Sequence, residues 1–202
     1  MTRIKLCGLT RPIEIRTANL LRPEYIGFVF YPKSRRYIAP EQAARLREML
    51  DPGIKAVGVF VDGQPENIAG LMESGVIDMA QLHGNEDAAY CRRLRELTGK
   101  PVIKAFRVEK PEDCEPAEKY PSDYLLLDSG MGSGETFDWS AVSGVRRGYF
   151  LAGGLNAGNV AAAIRKLHPF AVDVSSGIES GGIKDTDKMA AFVAAVRKED
   201  EG

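Results

Sequence analysis

Long apolar runs are missing from this chain: none of its 202 residues belongs to a stretch near the roughly 18 residues that a bilayer-crossing helix needs, which argues against a membrane partner. An excess of either charge is missing too. Twenty-seven basic residues face 28 acidic ones, a net charge of −1, so no basic field marks a nucleic-acid partner. Cysteine is scarce: three, at positions 7, 91 and 114, an odd number with neither disulfide-framework nor zinc spacing. That usage predicts a reducing compartment, and the start MTRIKLCGLT, without an apolar core, carries no secretory signal, so a cytoplasmic location is expected. There is no close set of Asp, His and Cys to suggest a metal site and no Walker A loop. Gly130, Gly132 and Gly134 lack the flanking context of a dinucleotide fingerprint.

What is present is the composition of an ordinary globular chain, 44% hydrophobic and 27% charged, at a length close to that of one domain. Such a domain buries about 70% of its unfolded surface. Eight short apolar runs recur along it: IKLCG (4–8), YIGFVF (25–30), KAVGVFV (55–61), IDMAQL (77–82), PVIKAF (101–106), DYLLLD (123–128), YFLAG (149–153) and FAVDVSS (170–176). Several are apolar at almost every position, as parallel strands covered on both faces are. Amphipathic stretches separate them. Residues 40–50 place Ala43, Leu46, Met49 and Leu50 on one face behind Pro40, and the last segment places Met189, Phe192, Val193 and Val196 on another after a cap at Asp185 or Asp187. The intervals 138–147 and 156–168 can each hold a compact helix, whereas 107–122 is interrupted by proline. Strands alternating with helices predict right-handed βαβ units. A doubly wound open sheet is one solution. Eight units of about 25 residues favour the other, an eight-stranded parallel (β/α)8 TIM barrel forming a single domain over 1–202.

In such a barrel the chemistry lies at the C-terminal ends of the strands. Gly153-Gly154, after the seventh run, and Ser175-Ser176-Gly177, after the eighth, are where backbone N–H groups can approach a phosphate; the same glycines could simply make tight turns, with Asn156 as a cap. Asp128 leaves an apolar strand for a glycine-rich loop, so partial desolvation could let it carry a proton near neutrality, or it could bond turn amides. Cys7 ends the first run. A buried cysteine is ordinarily a small hydrophobe, but a thiol on this rim becomes a base if a neighbour lowers its pKa from about 8.5. Arg35 and Arg36 could grip a carboxylate through two parallel hydrogen bonds or be solvated surface charge. His83 has no evident nucleophile beside it, and His168 reads as structural.

The blocks IKLCGLT (4–10), Gly27-Phe28-Val29-Phe30 with Ser34-Arg35-Arg36-Tyr37, VGVFV (57–61), Gln81-Leu82-His83-Gly84, Phe137-Asp138-Trp139, Ala152-Gly153-Gly154-Leu155 and Val172 to Glu179 together resemble, in order and along nearly the whole chain, the phosphoribosylanthranilate isomerase family of tryptophan biosynthesis. The resemblance implies an Amadori rearrangement without cofactor, from N-(5-phosphoribosyl)anthranilate to 1-(2-carboxyphenylamino)-1-deoxyribulose 5-phosphate. It makes Cys7 the general base and Asp128 the general acid, on strands facing one another across the barrel. Arg36 would hold the anthranilate carboxylate, Gln81 and Asp173 would line the pocket, and Gly153, Gly154, Ser176 and Gly177 would cradle the phosphate. The partner is a small phosphoribosyl substrate, with the assembly left open between monomer and homodimer. Met131 and Glu135 stand where the family more often has a Gly-Gly-Thr-Gly run and a basic residue, a departure that bears on turnover. Two rivals compete with this reading. A histidine-pathway aminoaldose isomerase would want paired aspartates and a half-barrel repeat, and a non-catalytic phosphate-binding barrel would not need Cys7 and Asp128.

Overall fold

The computed structural model describes residues 1–128, 139–142 and 145–201. Eight strands form where the eight apolar runs lie: β1 (Arg3–Cys7), β2 (Tyr25–Val29), β3 (Lys55–Phe60), β4 (Met79–Leu82), β5 (Val102–Arg107), β6 (Tyr124–Asp128), β7 (Tyr149–Ala152) and β8 (Ala171–Val174). All pair in parallel in chain order, and β8 closes on β1. The sheet is thus a closed barrel without open edges.

Helices cover its outside: α1 (Pro12–Leu21), α2 (Pro40–Glu48), α3 (Pro65–Glu73), α4 (Ala88–Thr98), α5 (Cys114–Lys119), α6 (Val160–Leu167) and α7 (Thr186–Glu201). The first three open on proline, whose fixed φ suits a first turn and whose missing N–H costs nothing there. Asp185 caps α7, accepting from the N–H groups of Asp187 and Lys188. The proline-interrupted stretch yields only a 3-10 turn (Pro111–Asp113) and the six-residue α5. In the interval 138–147 the described residues hold a 3-10 turn, Trp139–Val142. Met131, Glu135 and the block Phe137-Asp138 lie outside the described residues. No helix among the described residues is long and apolar enough to cross a membrane.

Alternation along each strand sorts side chains into two cores. Between sheet and helices pack Ile4, Leu6, Phe28, Leu125, Val172 and their neighbours. Inside the barrel, Tyr25, Val57, Met79, Ile103, Leu126 and Phe150 form an apolar plug. Above that plug, at the C-terminal ends, the inward positions turn polar. A two-stranded hairpin, β9 (Glu179–Ser180) with β10 (Ile183–Lys184), follows β8 and was not foreseen from the sequence pattern.

Candidate active site

A cavity of about 340 Å³ opens at the C-terminal mouth of the barrel, within the size range of small-ligand pockets. Eight of the nine residues singled out from the sequence line it: Cys7, Arg36, Gln81, Asp128, Gly153, Gly154, Asp173 and Ser176. Gly177 does not. A Cβ there would stand 1.9 Å from the carbonyl oxygen of Leu155, so its bare Cα is where the turn after β8 presses against the loop after β7. One point of geometry also shifts. Strand order places β6 three strands from β1, by way of β8 and β7, rather than directly across the barrel. Cys7 and Asp128 still line the same cavity.

Lys5 and Asp173 face each other in register on β1 and β8, so their side chains leave the sheet on one side and meet inside the barrel. The Nζ–Oδ1 distance is 3.0 Å, and Lys5 is wholly buried. Burial presses the ammonium toward its neutral form, but the Asp173 charge and the nearby Cys7 outweigh it and hold Lys5 above its ordinary value. Cys7 is two residues along β1, on the same face. Its thiol is pushed up, chiefly by burial; Lys5 and Lys184 pull the other way without winning. The resting thiol is therefore protonated, and the neighbours that favour thiolate only moderate the cost of burial. Gly27, the register partner of Cys7 on β2, has no room for a Cβ, which would fall 2.6 Å from the sulfur.

Asp128, at the end of β6, has the ring of His83 beside it, Nε2 to Oδ2 3.8 Å. On the other side of that ring, Nδ1 is 3.0 Å from Nε2 of Gln81. With the amide oriented so, its N–H donates to Nδ1, which leaves the ring proton on Nε2, toward Asp128. Burial pushes the imidazole below its ordinary value, with Asp128 opposing, so the ring is neutral at pH 7. Gln81 is 1% exposed, and its Oε1 has no hydrogen-bond partner among the described residues, a buried acceptor in the lining of the cavity.

The guanidinium of Arg36 is already engaged: Nε and Nη2 donate to the two oxygens of Glu179 at 2.6 and 3.0 Å. Arg35 and Lys184 donate to the same carboxylate, at 2.9 and 2.7 Å. Burial would raise the Glu179 pKa, but Arg36 and Lys184 outweigh it and hold the carboxyl below its ordinary value. On the opposite rim, Gly153 and Gly154 take φ of 97° and 63°, the left-handed region that glycine adopts without strain. Among the described residues the backbone N–H groups of Gly153, Gly154, Ser176 and Gly177 have no acceptor. Asn156 does not cap a helix start directly: its Oδ1 takes the N–H of Gly158, and α6 begins only at Val160.

Sequence reasoning missed Lys5, Glu179 and Lys184, and weighed His83 as a base but gave it no partner. For two of them a signal existed. Lys5 shares the inward face with Cys7 by period two, and a lysine inside a buried strand needs a partner; His83 stands in the same relation to Gln81. The pairing of Glu179 with Arg36 spans 143 residues and left no local trace.

The family profile described as N-(5'phosphoribosyl)anthranilate (PRA) isomerase matches residues 4–195. An N-(5'-phosphoribosyl)anthranilate isomerase of Endomicrobium trichonymphae is 44% identical over 202 residues, covering 98% of this chain and 99% of the relative. Phosphoribosyl anthranilate isomerase from Thermotoga maritima superposes with a TM-score of 0.91 at 41% identity, over 98% of this chain and all of that one. A phosphoribosyl anthranilate isomerase solved in complex with reduced 1-(o-carboxyphenylamino)-1-deoxyribulose 5-phosphate superposes at 0.89 and 40% identity, with coverage of 98% and 100%. On the match along nearly its whole length, this chain belongs to the N-(5'-phosphoribosyl)anthranilate isomerase family.

Proposed function

We propose that the mouth of this barrel carries out the family's Amadori rearrangement with Asp128 as general acid and Cys7 as general base. The chain is an isomerase of tryptophan biosynthesis, acting on an aminoaldose phosphate. Asp128 delivers a proton to the ribose ring oxygen as the C1–O bond breaks, and the anthranilate nitrogen lone pair closes a C1=N Schiff base. Cys7 acts from its minor thiolate form, its own proton given up to water beforehand, and takes the proton from C2; that electron pair forms the C1=C2 bond and neutralises the nitrogen. In the last step the thiol returns a proton to C1 while the Asp128 carboxylate accepts one from the C2 hydroxyl, leaving the ketone and both groups restored. Each transfer is worth about 100- to 10,000-fold in rate.

The observation that carries this reading is convergence. A thiol, a carboxyl group, a guanidinium and a set of unclaimed backbone N–H donors open on one cavity, at the end of the barrel where this fold holds its chemistry. Lys5, Lys184 and the positive Schiff base itself oppose the burial that keeps Cys7 protonated. His83 directs its Nε2–H at the carboxylate that Asp128 becomes once it has given up its proton. The unpaired Oε1 of Gln81 fits a donor on the ligand, and Arg36 fits the ring carboxylate. The chain works as one barrel domain over 1–202 in the cytoplasm, in keeping with three cysteines that stay unpaired and buried.

The test is turnover of Asp128→Asn and Cys7→Ala beside the wild type, followed by loss of the anthranilate adduct's fluorescence. Asp128→Asn should lower kcat by about 100- to 10,000-fold with little change in KM. Near-normal turnover in that variant removes Asp128 from the mechanism.

A further inference from the structure

We propose that Glu179 is a positioning residue for substrate recognition: it aims Arg36 so that one edge of the guanidinium faces the cavity and grips the ring carboxylate of the ligand. The inference rests on the assignment of Arg36 as the carboxylate clamp.

A guanidinium offers two edges to a planar anion, one made by Nε and Nη2 and one by Nη1 and Nη2. Glu179 occupies the first completely, Nε to Oε1 at 2.6 Å and Nη2 to Oε2 at 3.0 Å. The second edge is left: among the described residues Nη1 of Arg36 has no hydrogen-bond partner. Arg36 also lines the cavity. The stem is fixed as well as the head. It crosses Gly8, which takes φ of 82°, and a Cβ at Gly8 would fall 2.6 Å from Cδ of Arg36. Held at both ends, the side chain can turn only its Nη1–Nη2 edge to a ligand.

Glu179 is itself held, at 4% side-chain exposure, by the hairpin that follows β8. Its register partner there is Lys184, whose Nζ donates to Oε1 at 2.7 Å and to the carbonyl of Ser175 at 2.8 Å. Ser175 in turn donates its hydroxyl to the carbonyl of Cys7 at 3.2 Å. One hairpin therefore sets the turn of unclaimed amides at 176–177 and, two residues on, the carboxylate that orients Arg36. The phosphate end and the carboxylate end of the ligand are placed by the same short element. Around Glu179 one negative charge meets three positive ones, so the cluster keeps a surplus of two positive charges beside a ligand that is anionic at both ends.

The sign of the mutational effect separates positioning from simple charge. Glu179 is an anion near an anionic ligand, so if it acted only through its field, Glu179→Gln would tighten binding. If it positions Arg36, the same change loosens binding, and only of a ligand that has the ring carboxylate. The experiment is calorimetric binding of two stable ligands, the reduced carboxyphenylamino ribulose phosphate and the same molecule without the ring carboxylate. It uses the wild type, Glu179→Gln, Arg36→Met and the double variant. Glu179→Gln should weaken the first ligand by about tenfold, the worth of a charge-assisted hydrogen bond, and the second by less than about twofold. The double variant should bind no more weakly than Arg36→Met alone. Tighter binding of the first ligand, equal weakening of both, or additive losses in the double variant would each overturn the proposal. Should Arg36→Met leave the preference for the carboxylate intact, the clamp assignment fails and takes the proposal with it. Should Arg36→Met abolish that preference while Glu179→Gln keeps it, the proposal alone fails. Where Glu179→Gln does not fold, Glu179→Asp retains the charge but draws the carboxylate back by one methylene. It should lose the same preference, and an unchanged preference overturns the proposal.

Discussion

At the scale of single residues, the site works by setting burial against neighbouring charge. Cys7 shows the balance most plainly. Desolvation raises its pKa above that of an ordinary thiol even though Lys5 and Lys184 favour the thiolate. A raised value means less thiolate at any pH below it, so the folded enzyme should react with iodoacetamide at Cys7 more slowly than a free thiol does at pH 8.5. Mass spectrometry of the alkylated peptide over a pH series checks this; modification at the rate of a small thiol would contradict it. The placement of Cys7 and Asp128 at the barrel mouth was legible from residue type and strand position. The groups that tune them were not. His83 acquires its partner only when β6 brings Asp128 within 3.8 Å, and Lys5 only when barrel closure sets β8 beside β1.

At the scale of elements, short loops owe their shape to single atoms. Gly177 joins the turn after β8 to the loop after β7 because nothing projects from its Cα toward Leu155. Gly177→Ala would put a methyl 1.9 Å from a backbone carbonyl, and neither side can yield without moving a loop. Substrate KM should therefore rise by about tenfold or more with kcat less affected, since the unclaimed amides are displaced while Asp128 and Cys7 stay in place. Steady-state kinetics of that variant decide the matter, and an unchanged KM would separate the turn from phosphate binding. The loop after β4 is fixed by different means. Glu86 accepts from the N–H groups of Asp62 and Gly84 and from buried Lys104, which also donates to the carbonyl of Gly84. These bonds tie the ends of β3, β4 and β5 together just beyond His83.

At the scale of the whole molecule, buried protonated groups make stability depend on alkaline pH. Burial pushes Cys91 up to about 11 from 9.0, and Tyr90 and Tyr149 up to about 12 from 10.0. Each proton is kept in the fold by a carbonyl acceptor: Pro121 for Cys91, Gly63 for Tyr90 and Leu167 for Tyr149. The unfolded chain releases these protons at the ordinary values while the folded chain retains them. Above pH 9 the native state therefore binds more protons than the unfolded one, and stability falls as pH rises. Urea midpoints should hold steady up to about pH 8.5 and then decline through pH 11. In Cys91→Ala the decline between 9 and 11 should be shallower than in the wild type. A flat profile across that range would contradict the assignment.

The sequence by itself determined the eight strands and favoured a barrel, because burial on both faces leaves an unbroken apolar run for each strand, and proline and aspartate punctuate the helices between them; the pairing of β8 with β1 closed it. It also located the thiol, the carboxyl group and the glycines that line the cavity at the barrel mouth, since each stands at the end of a run. Tertiary structure alone decided which charges meet. The Lys5–Asp173 pair and the Arg36–Glu179 pair join residues 168 and 143 positions apart. No local pattern encodes such pairs, because the energy that selects them, the cost of burying a charge without its partner, exists only once the barrel has closed around them.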